Sequence, residues 1–287
     1  MKRDDPSPDN SSPSAAQPIV ARRRGWAPLI KGSVGLHAGA ALGLALQPES
    51  WPWALGLLAA DHAVLTAAGL WPRSKLLGPN WTRLPTPAVA RGEIAITIDD
   101  GPDPEVTPGV LELLDRHSAS ATFFCIGERA QCHAALCSKI VRAGHAIENH
   151  SQHHRHNFSL LGPRGLLREI EAAQRSLTEI TGRAPRFFRA PAGLRNPFLD
   201  PVLAKLDLQL ASWTRRGFDT RVGDATAVSA RLLNGLAAGD ILLLHDGHAA
   251  RGIDGRPVIL DALASVLAAI HRAGLRPVTL LSALDPA

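Results

Sequence analysis

Glu93-Ile94-Ala95-Ile96-Thr97-Ile98-Asp99-Asp100-Gly101-Pro102 carries an apolar run straight into two adjacent carboxylates and a Gly-Pro turn. The apolar part reads as a buried strand over Glu93–Ile98, and the remainder as the loop at its end. The same grammar repeats downstream. Apolar runs at Ala121–Ile126, Ala146–Glu148, Arg186–Arg189, Leu208–Ser212, Asp240–Leu244 and Arg276–Thr279 read as strands. Helical patterns at Thr107–His117, Gly162–Thr181, Ala225–Ala237 and Arg256–Ala273 lie between them. Strand-then-helix units imply a mostly parallel sheet covered by helices. Seven strands in about 190 residues predict an α/β barrel rather than an open sheet, and no internal repeat is evident.

In such barrels, function collects at the C-terminal ends of the strands. The polar exceptions fall there: Asp99-Asp100-Gly101-Pro102, His150-Ser151-Gln152-His153-His154, Arg189-Ala190-Pro191-Ala192-Gly193 and His245-Asp246-Gly247-His248. Adjacent carboxylates repel unless a cation or a proton divides their duties, and a strand-end turn can bring both to one mouth. His150 and His154 stand four apart in a His-rich patch ending at His156. On a helical turn that spacing places both rings on one face, within reach of a divalent ion. By composition alone His153 and His156 would serve as well. One Asp and two His with open positions suit a hydrolytic Zn²⁺, and Co, Ni or Fe also fit. His245 emerges from an apolar strand, titrates near neutrality and can protonate a leaving amine. Singly these motifs also read as a turn, a solvated loop, a core histidine and a paired arginine. Four of them at four strand ends point to a site.

The front of the chain differs. Residues 1–24 are polar and basic and are expected to be disordered. Residues 25–85 hold two apolar runs, Gly32–Gln47 and Trp51–Trp71, the second interrupted by Asp61-His62. Each is close to spanning length, so an apolar helical hairpin associated with a membrane is expected. A central Asp costs about 2.5–3.5 kcal/mol on insertion, which makes the second span marginal without a partner for Asp61. The net charge of +5 sits at the front: residues 1–91 hold ten Lys or Arg against five Asp or Glu, and residues 92–287 hold twenty-one of each. That pattern suits a membrane flank, and no nucleic-acid-binding signature accompanies it. If both runs span, the basic flanks put the later domain on the cytoplasmic side; if only the first does, the domain lies outside. No cleaved signal peptide is expected. Cys125, Cys132 and Cys137 match neither a disulfide framework nor a zinc ribbon and are expected to be buried or partly buried thiols.

Thr97-Ile98-Asp99-Asp100-Gly101-Pro102 resembles the first signature of the polysaccharide deacetylases, the fourth family of carbohydrate esterases. His150-Ser151-Gln152-His153-His154, Arg189-Ala190-Pro191 and Leu243-Leu244-His245 are similar to the next signatures in the family's order. The resemblance covers about residues 92–282 and implies a distorted (β/α) barrel of seven or eight strands behind the hairpin. It implies Asp100, His150 and His154 as metal ligands, with Zn²⁺ favoured over Co²⁺, Ni²⁺ or Fe²⁺. It implies Asp99 as general base, His245 as general acid and Arg189 as the group that orients Asp99. The backbone N–H of Ala192, beside Pro191, would face the oxyanion.

The family usually carries Tyr where Ala192 stands, and this chain has no Tyr. The family's supporting Asp and Trp are matched only at altered spacing, by Trp213 and Asp219, with Asp219 expected to partner His245. The expected activity is hydrolysis of an N-acetyl group on an amino-sugar glycan or a lipid-linked sugar. Deformylation, or another non-peptide amide hydrolysis, would use the same site. A silent membrane sugar-binding protein has no need of all five of Asp99, Asp100, His150, His154 and His245.

Overall fold

The computed structural model describes residues 25–284, so the tail expected over 1–24 lies outside the described residues. Two long helices come first, α1 (Pro28–Leu46) and α2 (Trp51–Leu70), joined by a 3-10 turn at Pro48–Ser50. At 1.5 Å per residue each is about 28–30 Å long, the thickness of a bilayer's hydrocarbon core. The helices pack on each other and leave most of their apolar surface outside: Leu42, Leu46, Leu55, Leu57 and Val64 are exposed. Only Ser33 of α1 and Ala54, Ala68 and Gly69 of α2 are buried. Asp61 has the partner its position requires, accepting a 2.6 Å hydrogen bond from Ser33 Oγ, with His37 Nδ1 3.9 Å away. Exposed tryptophans stand at both ends of the hairpin, Trp26 and Trp71 at its base and Trp51 and Trp53 at its tip.

The remaining elements are α3 (Thr86–Ala90), β1 (Glu93–Asp99), α4 (Thr107–Arg116), β2 (Ala121–Cys125), α5 (Gly127–Cys132), α6 (Ala134–Arg142), β3 (Ala146–Asn149) and α7 (Pro163–Thr181). Then come β4 (Phe187–Phe188), α8 (Leu199–Lys205), β5 (Gln209–Leu210), β6 (Arg215–Arg216), α9 (Ala225–Leu233), β7 (Ile241–His245), α10 (Val258–Arg272) and β8 (Arg276–Val278). The strands form one parallel sheet in the order β5-β4-β3-β2-β1-β7-β6, and β8 pairs with Glu93–Ala95 at the start of β1. Every strand read from the sequence is present. The extra one, β6, is two arginines long and has no apolar run to announce it.

Alternation along the strands creates the barrel's two faces. Ile94, Ile96 and Ile98 of β1, and Leu242 and Leu244 of β7, join the cluster beneath α4, α9 and α10. Ala95, Ile241 and Leu243 join a second cluster with Phe124, Phe187 and Trp213, inside the curl of the sheet. Residues two apart share a face, so Thr97, Asp99 and His245 lie on the inner face. Burial of the alternate residues therefore aims the two proposed proton-transfer groups into the barrel.

The sheet does not close on itself, because β5 and β6 do not pair. The segment after the hairpin fills the breach. Trp81 pairs with Ala211 beyond β5, Arg83 pairs with Asp240 before β7, and Leu84 N–H donates to the Gly239 carbonyl at 2.8 Å. Trp81 also meets the Phe187 ring edge-on at 5.1 Å.

Cys125 and Cys137 are buried as expected, Cys132 is exposed, and all three are free thiols.

Candidate active site

Arg189 organises the floor of the site. It is 1% exposed, and every nitrogen of its guanidinium donates. Nη1 reaches Asp99 Oδ1 at 2.6 Å and Thr97 Oγ1 at 2.8 Å; Nη2 reaches the Ser212 carbonyl at 2.7 Å and Nε the Ala211 carbonyl at 3.1 Å. Its plane lies over Phe124, 4.1 Å from the ring centre. A buried charge left unpaired would cost several kcal/mol; here it is paired and fixed in direction. The Arg189 carbonyl in turn accepts from His150 Nδ1 at 2.8 Å. A carbonyl can only accept, so Nδ1 carries the proton and Nε2 presents its lone pair to the cavity.

That lone pair faces Asp100. The residue sits in the left-handed region, φ 71°, just past the end of β1, which swings its carboxylate toward the mouth already occupied by Asp99. Asp100 Oδ1 is buried and receives no well-aligned hydrogen bond, yet Nε2 of His150 and Nε2 of His154 each lie 3.2 Å from it. Nitrogen and oxygen ligands ~2.0–2.1 Å from one zinc ion stand roughly 3.0–3.4 Å apart. The three atoms therefore fit a divalent ion and fit each other poorly without one. Burial works against charge on Asp100, but the imidazoles of His150 and His248 hold its carboxyl well below the usual range. Burial likewise opposes charge on His150, and Asp99 and Asp100 outweigh it, so its pKa is raised. His154 is pushed down to about 4, by burial first and the charge of His150 second. An ion bound here would need both rings in the neutral form, with Nε2 free to ligate.

The two histidines do not converge on a helical turn. Residues 150–156 are a loop in which Ser151 and His154 have φ of 66° and 47°, and Ser151 Oγ accepts from the His154 N–H at 3.0 Å. His153 turns away to Glu169 Oε1 at 3.0 Å, which separates it from the ligand pair. His156 lines the cavity mouth without contacting Asp100.

Opposite the ligand cluster, His245 Nδ1 pairs with Asp219 Oδ1 at 2.8 Å, and the His245 backbone N–H donates to Asp219 Oδ2 at 2.7 Å. One fully buried carboxylate therefore grips both ring and main chain, and leaves Nε2 for the cavity that His245 lines. Burial opposes the charged ring; the Asp219 hydrogen bond and the charges of Asp219, Asp99 and Asp100 outweigh it and raise the pKa. The altered sequence spacing of Asp219 does not keep it from His245, because the loop after β6 returns beneath the end of β7.

The cavity holds about 270 Å³ and is lined by Asp99, Asp100, His150, His154 and His245 together with Ala192, Gly193 and Trp213. Ala192 lies at φ 54° on the exposed turn, while Pro191 is buried behind it and does not line the cavity. Gly193 must be glycine: φ is 73°, and a Cβ would stand 2.6 Å from Trp213 and 2.8 Å from Pro72. Sequence reasoning missed two neighbours. His248 Nδ1 is 3.5 Å from Asp100 Oδ2, and its Nε2 is 2.9 Å from Arg129. Asp246 lies buried beneath Gly101, accepts from Thr107 Oγ1 at 2.5 Å, and is pushed up to about 7 by burial. Both stand in the quoted His245–His248 motif, and only their position past the strand end signalled them.

Residues 87–211 match the family described as polysaccharide deacetylase. A chitooligosaccharide deacetylase of Azorhizobium caulinodans is 37% identical over 193 residues, covering 64% of this chain and 90% of that one. A peptidoglycan-N-acetylglucosamine deacetylase of Bacillus cereus is 34% identical over 188 residues, covering 65% and 85%. Among solved structures, a peptidoglycan N-acetylglucosamine deacetylase bound to an N-hydroxybenzamide superposes with a TM-score of 0.64 at 27% identity, covering 72% of this chain and 94% of that one. Similarity that spans nearly the whole of such relatives, with the strand-end signatures meeting at one mouth, places this chain in the polysaccharide deacetylase family.

Proposed function

We propose that the chain is a metal-dependent N-deacetylase of an N-acetylated amino sugar, held at a membrane by residues 25–85 and catalytic over residues 92–282. Family membership makes it a hydrolase of carbon–nitrogen bonds other than peptide bonds. The observation that carries the metal is the buried Asp100 Oδ1, without a hydrogen bond and 3.2 Å from two imidazole nitrogens.

Asp100, His150 and His154 hold the ion, with Zn²⁺ the best match to the donor set. Such an ion supplies positive charge that polarises the amide carbonyl and acidifies water. Asp99, fixed by Arg189, accepts the proton of the attacking water. The Ala192 N–H, on its left-handed turn, donates toward the developing oxyanion, and one such donor contributes about 2.7–4 kcal/mol in other enzymes. His245 delivers a proton to the departing nitrogen while Asp219 holds the ring and stabilises its charged form. Trp213 walls the sugar side, and Pro191 holds the turn that presents Ala192.

Membrane placement is supported by the length of α1 and α2, their outward apolar faces and the tryptophans at both ends, where aromatic residues favour the interface. Lys31, Arg73 and Lys75 flank the base. By the positive-inside rule the base and the catalytic domain are cytoplasmic.

The test is acetate release by metal-loaded protein from N-acetylated glycans and glycolipids, against Asp99→Asn and Asp100→Ala. Release by the wild type alone supports the proposal. Formate from formylated sugars with no acetate would replace it with a deformylase, and silence on both would overturn it.

A further inference from the structure

Two arginines line the catalytic cavity with no part in the chemistry above, Arg216 and Arg221. Arg216 is the more constrained. Its guanidinium carbon lies over two aromatic rings, 5.4 Å from the Trp213 ring centre and 5.0 Å from that of Phe218. Its Nε is buried without a hydrogen-bond partner, and among the described residues no carboxylate pairs with it. Its neighbour Arg215 is the contrast: that side chain is spent on Asp240 and on the carbonyls of Asn234 and Gly235. A guanidinium held over two rings and left without an anion is pre-organised to receive one.

Arg216 also lines a second groove, of about 340 Å³, that adjoins the catalytic cavity through their shared Trp213 wall. The far side of that groove is the base of the hairpin, Trp71 and Arg73. Arg73 is held toward it by donating to the Thr214 carbonyl at 3.2 Å. Two guanidiniums therefore face one groove beside the site where the acetamido group is cut. Trp71 follows the last turn of α2 and is exposed, so the groove opens at the level of the lipid headgroups.

We propose that Arg216, with Arg73, forms a subsite for a phosphate esterified to the N-acetylated sugar, and that this phosphate belongs to a lipid carrier. The inference rests on the deacetylase reading and names its substrate class. A neutral glycan would leave both guanidiniums without an anion. A nucleotide sugar offers the same phosphate but gains nothing from a groove at the headgroup level. The sugar would enter the cavity from the membrane side with its acetamido group toward Asp100, and the lipid chain would remain in the bilayer beside the hairpin.

The experiment uses the full chain, metal-loaded and reconstituted in vesicles, with three substrates: polyprenyl-diphospho-N-acetylglucosamine, UDP-N-acetylglucosamine and a neutral N-acetylglucosamine oligomer. The expected order of kcat/KM is lipid-linked, then nucleotide, then neutral. Arg216→Gln and Arg73→Gln should each lower the preference for the lipid-linked over the neutral substrate by about tenfold or more, chiefly through KM. Arg216→Lys should restore part of it. Arg216→Met, which keeps the stem against the two rings, separates lost charge from lost packing, with the melting temperature as its check. Equal use of the neutral oligomer, or an Arg216→Gln preference matching wild type, overturns the subsite and leaves the deacetylase reading standing. Equal use of the nucleotide sugar overturns the lipid assignment. Should no substrate be cut, the deacetylase reading fails; vesicle-bound lipid-linked sugar retained by wild type and not by Arg216→Gln would then still support the subsite, and equal retention would overturn it.

Discussion

Replacing Asp219 with Asn keeps the shape of the side chain and removes one charge from the support of His245. In the wild type both carboxylate oxygens are used, one on the ring Nδ1 at 2.8 Å and one on the backbone N–H at 2.7 Å. An amide can accept from one of these donors and must turn its NH₂ toward the other. A hydrogen bond to a charged group is worth about 1.5–3 kcal/mol. Losing that support for the imidazolium lowers the His245 pKa by about 1–2 units, at 1.36 kcal/mol per unit. Burial lowers the His245 pKa and Asp219 is first among the groups that raise it, so loss of its charge moves the pKa down. A general acid works in its protonated form, and activity falls as pH rises through its pKa. The alkaline limb of kcat against pH should therefore move about 1–2 units toward acid, with kcat near neutrality reduced by up to about 10–10²-fold as the protonated fraction falls. Profiles of both proteins on one neutral N-acetylated substrate, at matched metal content, test this, because the ion's own charge is common to the two. An alkaline limb that stays in place, with turnover within about twofold of wild type, would refute the assignment of His245 as acid and of Asp219 as its support.

Asp100→Ala removes the oxygen shared by two imidazoles and should abolish stoichiometric binding of Zn²⁺, read by elemental analysis after dialysis; full retention would place the ion elsewhere. Wild-type affinity for Zn²⁺ should fall on acidification, since protons and the ion compete for the same imidazole nitrogens of His150 and His154, and isothermal titration at several pH values in buffers of different ionisation enthalpy reads the proton release. Gly193→Ala sets a Cβ 2.6 Å from Trp213 at φ 73° and should cost about 1–3 kcal/mol of stability and raise KM; an unchanged melting temperature would contradict that geometry. Glu148, inside the barrel, is pushed up to about 8 by burial despite hydrogen bonds from the Arg186 and Phe187 N–H groups. The folded chain holds that proton more tightly than the unfolded one, so its contribution is full below about 4.5 and is lost as pH rises to about 8. Glu148→Gln should flatten this part of the stability–pH curve and gain at most about 4–5 kcal/mol at the alkaline end; unfolding in urea from pH 5 to 9 reads it, and parallel curves would refute it.

The fold was legible in the sequence because, apart from the short strand β6, apolar strands alternate with helical segments from Glu93 onward. Asp99, Asp100, His150 and His245 were legible because each follows or ends an apolar run at the same end of the sheet, where burial gives no reason for a polar side chain, and His154 was legible only from its spacing to His150 within a His-rich loop. What stayed hidden depends on loops. His150 and His154 converge through two left-handed residues, not a helical turn, and composition alone does not distinguish His154 from His153 or His156. Asp219 reaches His245 across a connection whose path is set by packing. Arg216 was invisible for the opposite reason: an arginine in a short polar strand looks like solvated surface, and only the two rings against it show that it is held.

The segment from Trp71 to Leu84 changes how the two parts of the chain relate. A tether would need only length and polarity. This one fills the breach between β5 and β6 with Trp81 and Leu84. Its Pro72 carbonyl accepts from Ser212 Oγ at 2.6 Å, one residue before the Trp213 that walls the cavity. The Gly69 carbonyl at the end of α2 accepts from the Arg195 N–H at 3.2 Å, two residues beyond Gly193. The hairpin is thus fastened to both cavity-lining loops that carry Ala192 and Trp213. The orientation of the hairpin and the shape of the Ala192–Trp213 wall are consequently one structural variable, so a substrate delivered along the hairpin, as proposed above, would meet a wall built by the same element.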